Sequence, residues 1–192
     1  MIGHVAVCSV LIAIGMLLPL RGSAQAVRIF GPDPDAQRCF DSAKKAVKFG
    51  ETTAYARNSC THALAAAKLH TRDTAATHVN RGILSMALEE YGSALADFDA
   101  AMVLHPGYGA IYVNRGNVFF IRNWYDGAIA EYTKALAVEM DEYQVAYLNR
   151  GMAHELLGHL EAAEADYRKA LELAPEWGPA ISKLARVLSK QN

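Results

Sequence analysis

Two histidines flank a glutamate in the run His154-Glu155-Leu156-Leu157-Gly158-His159, which approximates a zinc-hydrolase motif. That motif needs histidines four residues apart, so that both face one side of a helix and the glutamate serves as general base. Here the histidines are five apart and Gly158 interrupts the helical pattern. The spacing therefore predicts neither a metal site nor zinc-dependent hydrolysis.

Carboxylates offer no better catalytic site. Asp97, Glu131 and Asp166 recur at one repeated position, which indicates a structural role because an active site is normally built once. There is no glycine-rich phosphate loop, and the remaining histidines are scattered. The sequence predicts no catalytic residue, no metal and no cofactor.

The strongest pattern is the tripeptide Asn-Arg-Gly, which occurs three times and ends at Gly82, Gly116 and Gly151. These glycines are 34 and 35 residues apart, the period of a helical repeat. Each copy continues with an alanine, an aromatic residue and a second alanine at matching distances: Ala94, Phe98, Ala101; Ala128, Tyr132, Ala135; Ala163, Tyr167, Ala170. Small residues allow two helices to approach closely, and the aromatic ring fills the gap beside them.

This pattern resembles the tetratricopeptide repeat, a helix–turn–helix unit of 34 residues. The resemblance implies an all-α solenoid, a right-handed superhelix of about nine helices. Its units are a degenerate hairpin, three repeats and a capping helix: residues 36–74, 75–108, 109–143, 144–177 and 178–192. Arginine stands where the repeat usually has leucine before its glycine.

In this family the first helix of each repeat lines a concave groove. The resemblance implies that Asn80, Asn114 and Asn149 (the asparagine ladder) face that groove, as in the repeat domain of O-linked N-acetylglucosamine transferase. An amide side chain both donates and accepts, so each can bind one peptide unit of an extended partner. The alternative is that the asparagines tie neighbouring helices together. The other expected groove residues are Val113, Asn117, Phe120, Met152 and Glu155.

Each repeat also carries an arginine and an acid at fixed positions: Arg81 and Asp97, Arg115 and Glu131, Arg150 and Asp166. We interpret these as repeated ion pairs between helices, the alternative being a role in ligand binding. A carboxylate clamp, which some relatives use to bind chaperones, is not expected, because its cationic positions hold Val79, Val113 and Leu148.

The amino terminus is apolar from Val5 to Leu20 and continues to the small-residue sequence Ala24-Gln25-Ala26. This order predicts a secretory signal peptide, residues 1–26, cut after Ala26 and followed by a linker of residues 27–35. The alternative is an uncleaved anchor, although the run is short for a membrane core of about 30 Å.

Two cysteines remain after removal of the leader, Cys39 and Cys60. They lie 11 residues before and 10 after Gly50, so an antiparallel helical hairpin places them at nearly the same height. A disulfide is therefore predicted, with two separate buried thiols as the alternative.

The formal charge of −1 excludes a typical nucleic-acid binder. The sequence therefore predicts a non-catalytic scaffold of the bacterial cell envelope, periplasmic or secreted, which binds a protein or peptide and is not inserted in the membrane after cleavage. A membrane-anchored assembly factor and a small periplasmic hydrolase are the alternatives.

Overall fold

The computed structural model describes residues 24–66 and 68–191. The predicted leader therefore lies outside the described residues, apart from its last three. Nine helices occupy the described part: α1 Pro34–Phe49, α2 Ala54–Ala65, α3 Thr71–Ala87, α4 Tyr91–Leu104, α5 Gly109–Ile121, α6 Tyr125–Leu136, α7 Tyr143–Leu156, α8 Leu160–Leu173 and α9 Gly178–Gln191.

The helices form successive hairpins, in which α1 packs on α2, α3 on α4, α5 on α6 and α7 on α8. The second helix of each hairpin also contacts the first helix of the next, and α9 packs on α8. This arrangement stacks the units in chain order and confirms the predicted all-α repeat solenoid.

Glycine and aromatic positions explain the close packing within each hairpin. A Cβ atom added at Gly82 would lie 2.5 Å from the ring of Phe98, and one at Gly116 would lie 2.5 Å from the ring of Tyr132. The rings are fully buried. The third hairpin repeats the contact between Gly151 and Tyr167 at 2.7 Å. Any larger residue would therefore push the two helices apart.

The first hairpin is closed by local signals and by a covalent bond. Asp33 caps α1 by accepting a hydrogen bond from the Ala36 N–H at 2.8 Å, and Gly50 ends the helix with a φ of 69°. Cys39 and Cys60 form the predicted disulfide, with Cα atoms 4.8 Å apart. Closing a loop of this length stabilises the fold by about 3 kcal/mol in the chain-entropy model.

The third helix begins earlier than the sequence indicates. Helix α2 ends at Ala65, and α3 begins at Thr71, four residues before the expected repeat boundary. The extra turn at the start of α3 places Asp73 in its first turn, where the helix dipole favours a carboxylate.

No helix in the described part of the chain combines the length and hydropathy needed to span a membrane.

Candidate functional site

An extended stretch at the start of the described chain lies along the first helices of two repeats. We call residues 24–31 the amino-terminal segment. Val27 and Ile29 are only 3% and 5% exposed and belong to the main hydrophobic core with residues of α1, α3 and α5. Residues 27–35 were expected to be a linker because of their glycine and proline content, but Val27 and Ile29 are buried against the helices, whereas Arg28 and Phe30 are exposed.

Two members of the asparagine ladder hold this segment by its backbone. Asn114 accepts a hydrogen bond from the Gln25 N–H and donates one to the Gln25 carbonyl, both at 3.0 Å. Asn80 makes the same pair with Val27, at 2.8 and 2.7 Å. Alternate residues of an extended chain present their peptide groups to the same side, so the two asparagines engage residues two apart.

Asp73 continues this interaction at the other end of the segment. Its two carboxylate oxygens accept hydrogen bonds from the N–H groups of Phe30 and Gly31, each at 2.9 Å. Asp73 was not identified from the sequence, although it lies seven residues before Asn80 and so faces the same side of α3. That spacing is the signal that would have located it.

The third ladder residue makes a different contact. Asn149 donates its amide to Asn117 Oδ1 at 2.9 Å, and Asn117 also accepts the Tyr132 hydroxyl at 2.8 Å. Both asparagines are fully buried. Asn149 Oδ1 and Asn117 Nδ2 are left without a hydrogen-bond partner among the described residues, so this position retains one acceptor and one donor.

The apolar residues expected in the groove mostly serve the packing. Val113 and Met152 are buried in hydrophobic clusters between neighbouring helices. Phe120 is half-buried, with its ring centre 5.3 Å from that of Tyr125. Of these three, Phe120 retains the most accessible surface for a ligand.

Glu155, also expected in the groove, is engaged by the capping helix. Arg186 donates to both carboxylate oxygens at 2.7 and 2.6 Å, Lys190 donates at 2.7 Å, and the Tyr167 hydroxyl donates at 2.8 Å. Burial alone raises the pKa of Glu155, but these hydrogen bonds outweigh it and lower the pKa to about 2. The carboxylate therefore fixes α9 on the third repeat and has little capacity left for a partner.

The repeated arginines and acids meet within each hairpin. Arg81 and Arg150 make two-pronged contacts with Asp97 and Asp166, the shortest being 2.7 Å in each case. Arg115 reaches Glu131 through one nitrogen at 3.2 Å. The acids are almost completely buried and the arginines partly so. Burial raises the pKa of Asp97, but hydrogen bonds from His78 and Arg81 outweigh it and lower the pKa overall.

A cavity of about 870 Å³ lies beside the amino-terminal segment. Basic Lys44 and Arg72 line part of it, and the acids Glu139, Asp141 and Glu142 line another part. The Gln25 side chain donates to the Glu142 carbonyl at 3.4 Å and lies 3.5 Å from its carboxylate. The Arg72 guanidinium lies 4.3 Å from the centre of the Phe30 ring.

The two histidines of the approximate zinc motif lie close together, with their Nδ1 atoms 3.5 Å apart. In residues 24–66 and 68–191, no group of three or more histidine, cysteine or acidic side chains is arranged to hold a metal ion.

Comparisons with known proteins agree with this architecture. The tetratricopeptide repeat model matches residues 145–176. None of the curated protein sequences matches the chain significantly. Among solved structures, the TPR domain of Arabidopsis OM64 is 25% identical with a TM-score of 0.59, and the match covers 63% of this chain and 99% of that domain.

Two further structures extend the comparison. The first TPR of Spaghetti (RPAP3), bound to the HSP90 peptide SRMEEVD, is 25% identical with a TM-score of 0.59, over 62% of this chain and 94% of that one. A thermophilic TPR protein from Thermus thermophilus is 22% identical with a TM-score of 0.67, over 82% of this chain and 83% of that one. The fold is that of a tetratricopeptide repeat solenoid.

Proposed function

We propose that this tetratricopeptide repeat solenoid is a non-catalytic scaffold of the bacterial cell envelope, exported with a cleaved leader, which holds an extended segment of a partner protein along its first helices. The observation that carries this proposal is the pairing of Asn80 and Asn114 with the backbone of the chain's own amino-terminal segment. On the side of the bound segment these hydrogen bonds involve only backbone N–H and carbonyl groups, so the same surface suits partner segments of varied sequence.

The third position of the asparagine ladder, at Asn149 and Asn117, is the place where we expect the partner to bind. Asn80 is engaged by Val27, whereas Asn149 keeps an unpaired acceptor and its neighbour Asn117 an unpaired donor. Buried polar groups without partners are costly, and an extended segment that supplies one N–H and one carbonyl would satisfy both. Phe120, half-buried nearby on the same helix as Asn117, offers apolar contact to the partner's side chains.

The similarity to peptide-binding structures supports this proposal. The first TPR of Spaghetti, 25% identical to this chain, binds a peptide from HSP90. The present chain has apolar Val79, Val113 and Leu148 at the positions where a carboxylate clamp needs cations, so it is expected to select a different class of segment.

A site-specific crosslinking experiment tests the proposal. A photoreactive amino acid replaces Phe120 in one variant, and in a control variant it replaces Val103, which is 84% exposed on the second helix α4. We expect the Phe120 variant to crosslink a partner in the envelope fraction and the Val103 variant not to do so. Equal crosslinking from both positions would contradict a binding site on the first helices.

The affinity of the captured segment, made as a synthetic peptide, then separates ligand binding from folding. Asn149→Ala should weaken binding at least tenfold, whereas Asn58→Ala, an exposed asparagine on α2, should leave it unchanged. Asn149 is chosen because Asn80 also holds the chain's own Val27, and Asn114 holds Gln25 until the leader is cut. Unchanged affinity in a folded Asn149→Ala protein would reject the role of the ladder.

A further inference from the structure

The peptide bond between Ala26 and Val27 lies between two consecutive asparagine contacts. Gln25, on one side of it, is held by Asn114, and Val27, on the other side, is held by Asn80. This is also the bond at which the leader is predicted to be cut. Cleavage there would divide the amino-terminal segment into a part that leaves and a part that stays.

The part that stays is firmly packed. Val27 and Ile29 belong to the hydrophobic core, and Asp73 accepts the N–H groups of Phe30 and Gly31. The part that leaves, residues 24–26, is held mainly by Asn114 and by the contact of Gln25 with Glu142. Loss of these residues removes both partners of the Asn114 amide, which is fully buried in the uncut chain.

Hydrolysis of the bond by the leader peptidase of the exporting cell consumes one water molecule. It leaves a carboxylate on Ala26 and an ammonium group on Val27. In the uncut chain the Val27 nitrogen lies 2.8 Å from Asn80 Oδ1, and Val27 is only 3% exposed. After cleavage the ammonium keeps this one neutral partner beside the hydrophobic core, and an anion in the place of Ala26 would compensate its charge.

The chain direction determines which anion fits. The segment runs from Asn114 towards Asn80, so a partner that enters in the same direction meets the Val27 ammonium with its carboxyl end. Small residues fit at positions 24 and 26, and a side chain with an N–H donor at position 25 reaches Glu142, as Gln25 does.

We propose that cleavage after Ala26 opens a site for a protein carboxyl terminus, in which Asn114 holds the penultimate residue and the α-ammonium of Val27 pairs with the terminal carboxylate. The inference rests on the proposed function, because it assumes an exported chain that binds partner segments. The ligand class is a small-residue carboxyl terminus with a donor side chain one position before the end. The cut leader, which ends in Ala26, is itself such a ligand.

The test uses the exported protein, with its first residue determined by intact mass. The probe is the labelled tetrapeptide Ser-Ala-Gln-Ala, the sequence of residues 23–26, as the free acid and as the carboxyl amide. We expect a mass that begins at Val27, binding of the acid by fluorescence anisotropy, and at least tenfold weaker binding of the amide. This comparison requires no variant of the protein and therefore does not depend on folding of a mutant.

Two variants complete the design. Asn114→Ala in the cleaved protein should weaken binding of the acid at least tenfold, while Asn58→Ala leaves it unchanged. Ala26→Val, which removes the small residue required for cleavage, should yield an uncut chain that does not bind the probe because its own residues occupy Asn114. Circular dichroism verifies that each variant is folded.

Equal binding of acid and amide, binding to the uncut chain, or an exported chain that begins elsewhere than Val27 would overturn the inference. These failures are distinct from failure of the proposed function. Suppose that a partner crosslinks at Phe120 and its binding depends on Asn149, but the probe binds equally well as acid and amide. The proposed scaffold function would then stand, and the carboxyl-terminal site would be rejected.

Discussion

Asn80 closes two hydrogen bonds on the backbone of Val27, accepting from its N–H at 2.8 Å and donating to its carbonyl at 2.7 Å. The two residues are 53 positions apart and both are buried. A short extended segment is thereby integrated into a helical core without a neighbouring strand. The Asn80 amide makes the two hydrogen bonds that the peptide groups of a neighbouring strand would make in a sheet.

Removal of this amide should destabilise the folded chain. We expect Asn80→Ala to lower the free energy of unfolding by about 2–3 kcal/mol, since two hydrogen bonds are lost and the Val27 peptide groups stay buried. Urea denaturation measures the change. Asn149→Ala should lower the free energy of unfolding by less, because Asn149 makes one hydrogen bond and already has an unpaired oxygen. An equal loss in both variants would contradict this assignment.

The ion pairs should differ in strength between repeats. We expect Arg150→Met to lower the free energy of unfolding by roughly 2–4 kcal/mol, because it leaves the buried Asp166 carboxylate without its two-pronged partner. Arg115→Met should cost less, since Arg115 has one contact with Glu131 and that acid retains Lys134 at 2.7 Å. Thermal and urea unfolding of both variants provide the comparison, and the reverse order would refute it.

The glycine contacts give a sharp packing prediction. Gly116→Ala places a Cβ atom against the Tyr132 ring, so we expect a destabilisation of about 1–3 kcal/mol despite the better helix propensity of alanine. Gly92→Ala is the matched control, because nothing lies within 4 Å of its added Cβ atom and α4 should gain stability. A stabilising Gly116→Ala change would show that the helices are not in close contact there.

The capping helix should detach in acid. The pKa of Glu155 is about 2 in the folded chain, below its ordinary value of 4.5, so its ionised form stabilises the fold fully above pH 4.5. That stabilisation is lost as the pH falls from 4.5 towards 2. Hydrogen exchange of α9 amides across this range should reveal the loss, and Glu155→Gln should abolish that part of the pH dependence. An unchanged acid profile in Glu155→Gln would exclude Glu155 as its source.

The repeat architecture was predictable because its signals are local and periodic. Gly82 and Phe98 belong to one hairpin of fixed length, and the same spacing recurs, so a single sequence was sufficient to place them in contact. The arginine and acid positions were informative for the same reason.

The content of the groove was not predictable in the same way. Val27 and Ile29 alternate as in an extended chain, but the nearby glycine and prolines indicated a linker, and no local signal connects Val27 with Asn80. Glu155 was assigned to the groove from its place on the first helix of the third repeat. Its contact with Arg186 was missed because the register of α9 depends on tertiary packing.

Backbone recognition at Asn149 is the central claim, and a double-mutant cycle on the crosslinked partner segment tests it most directly. One variable is Asn149→Ala, and the other is N-methylation of single peptide bonds in the segment, which removes one N–H donor without changing any side chain. We predict that N-methylation at one residue of the segment weakens its binding to the wild-type protein at least tenfold. The same methylation should not weaken binding to the Asn149→Ala protein any further. Independent, additive losses from the two changes would contradict the account.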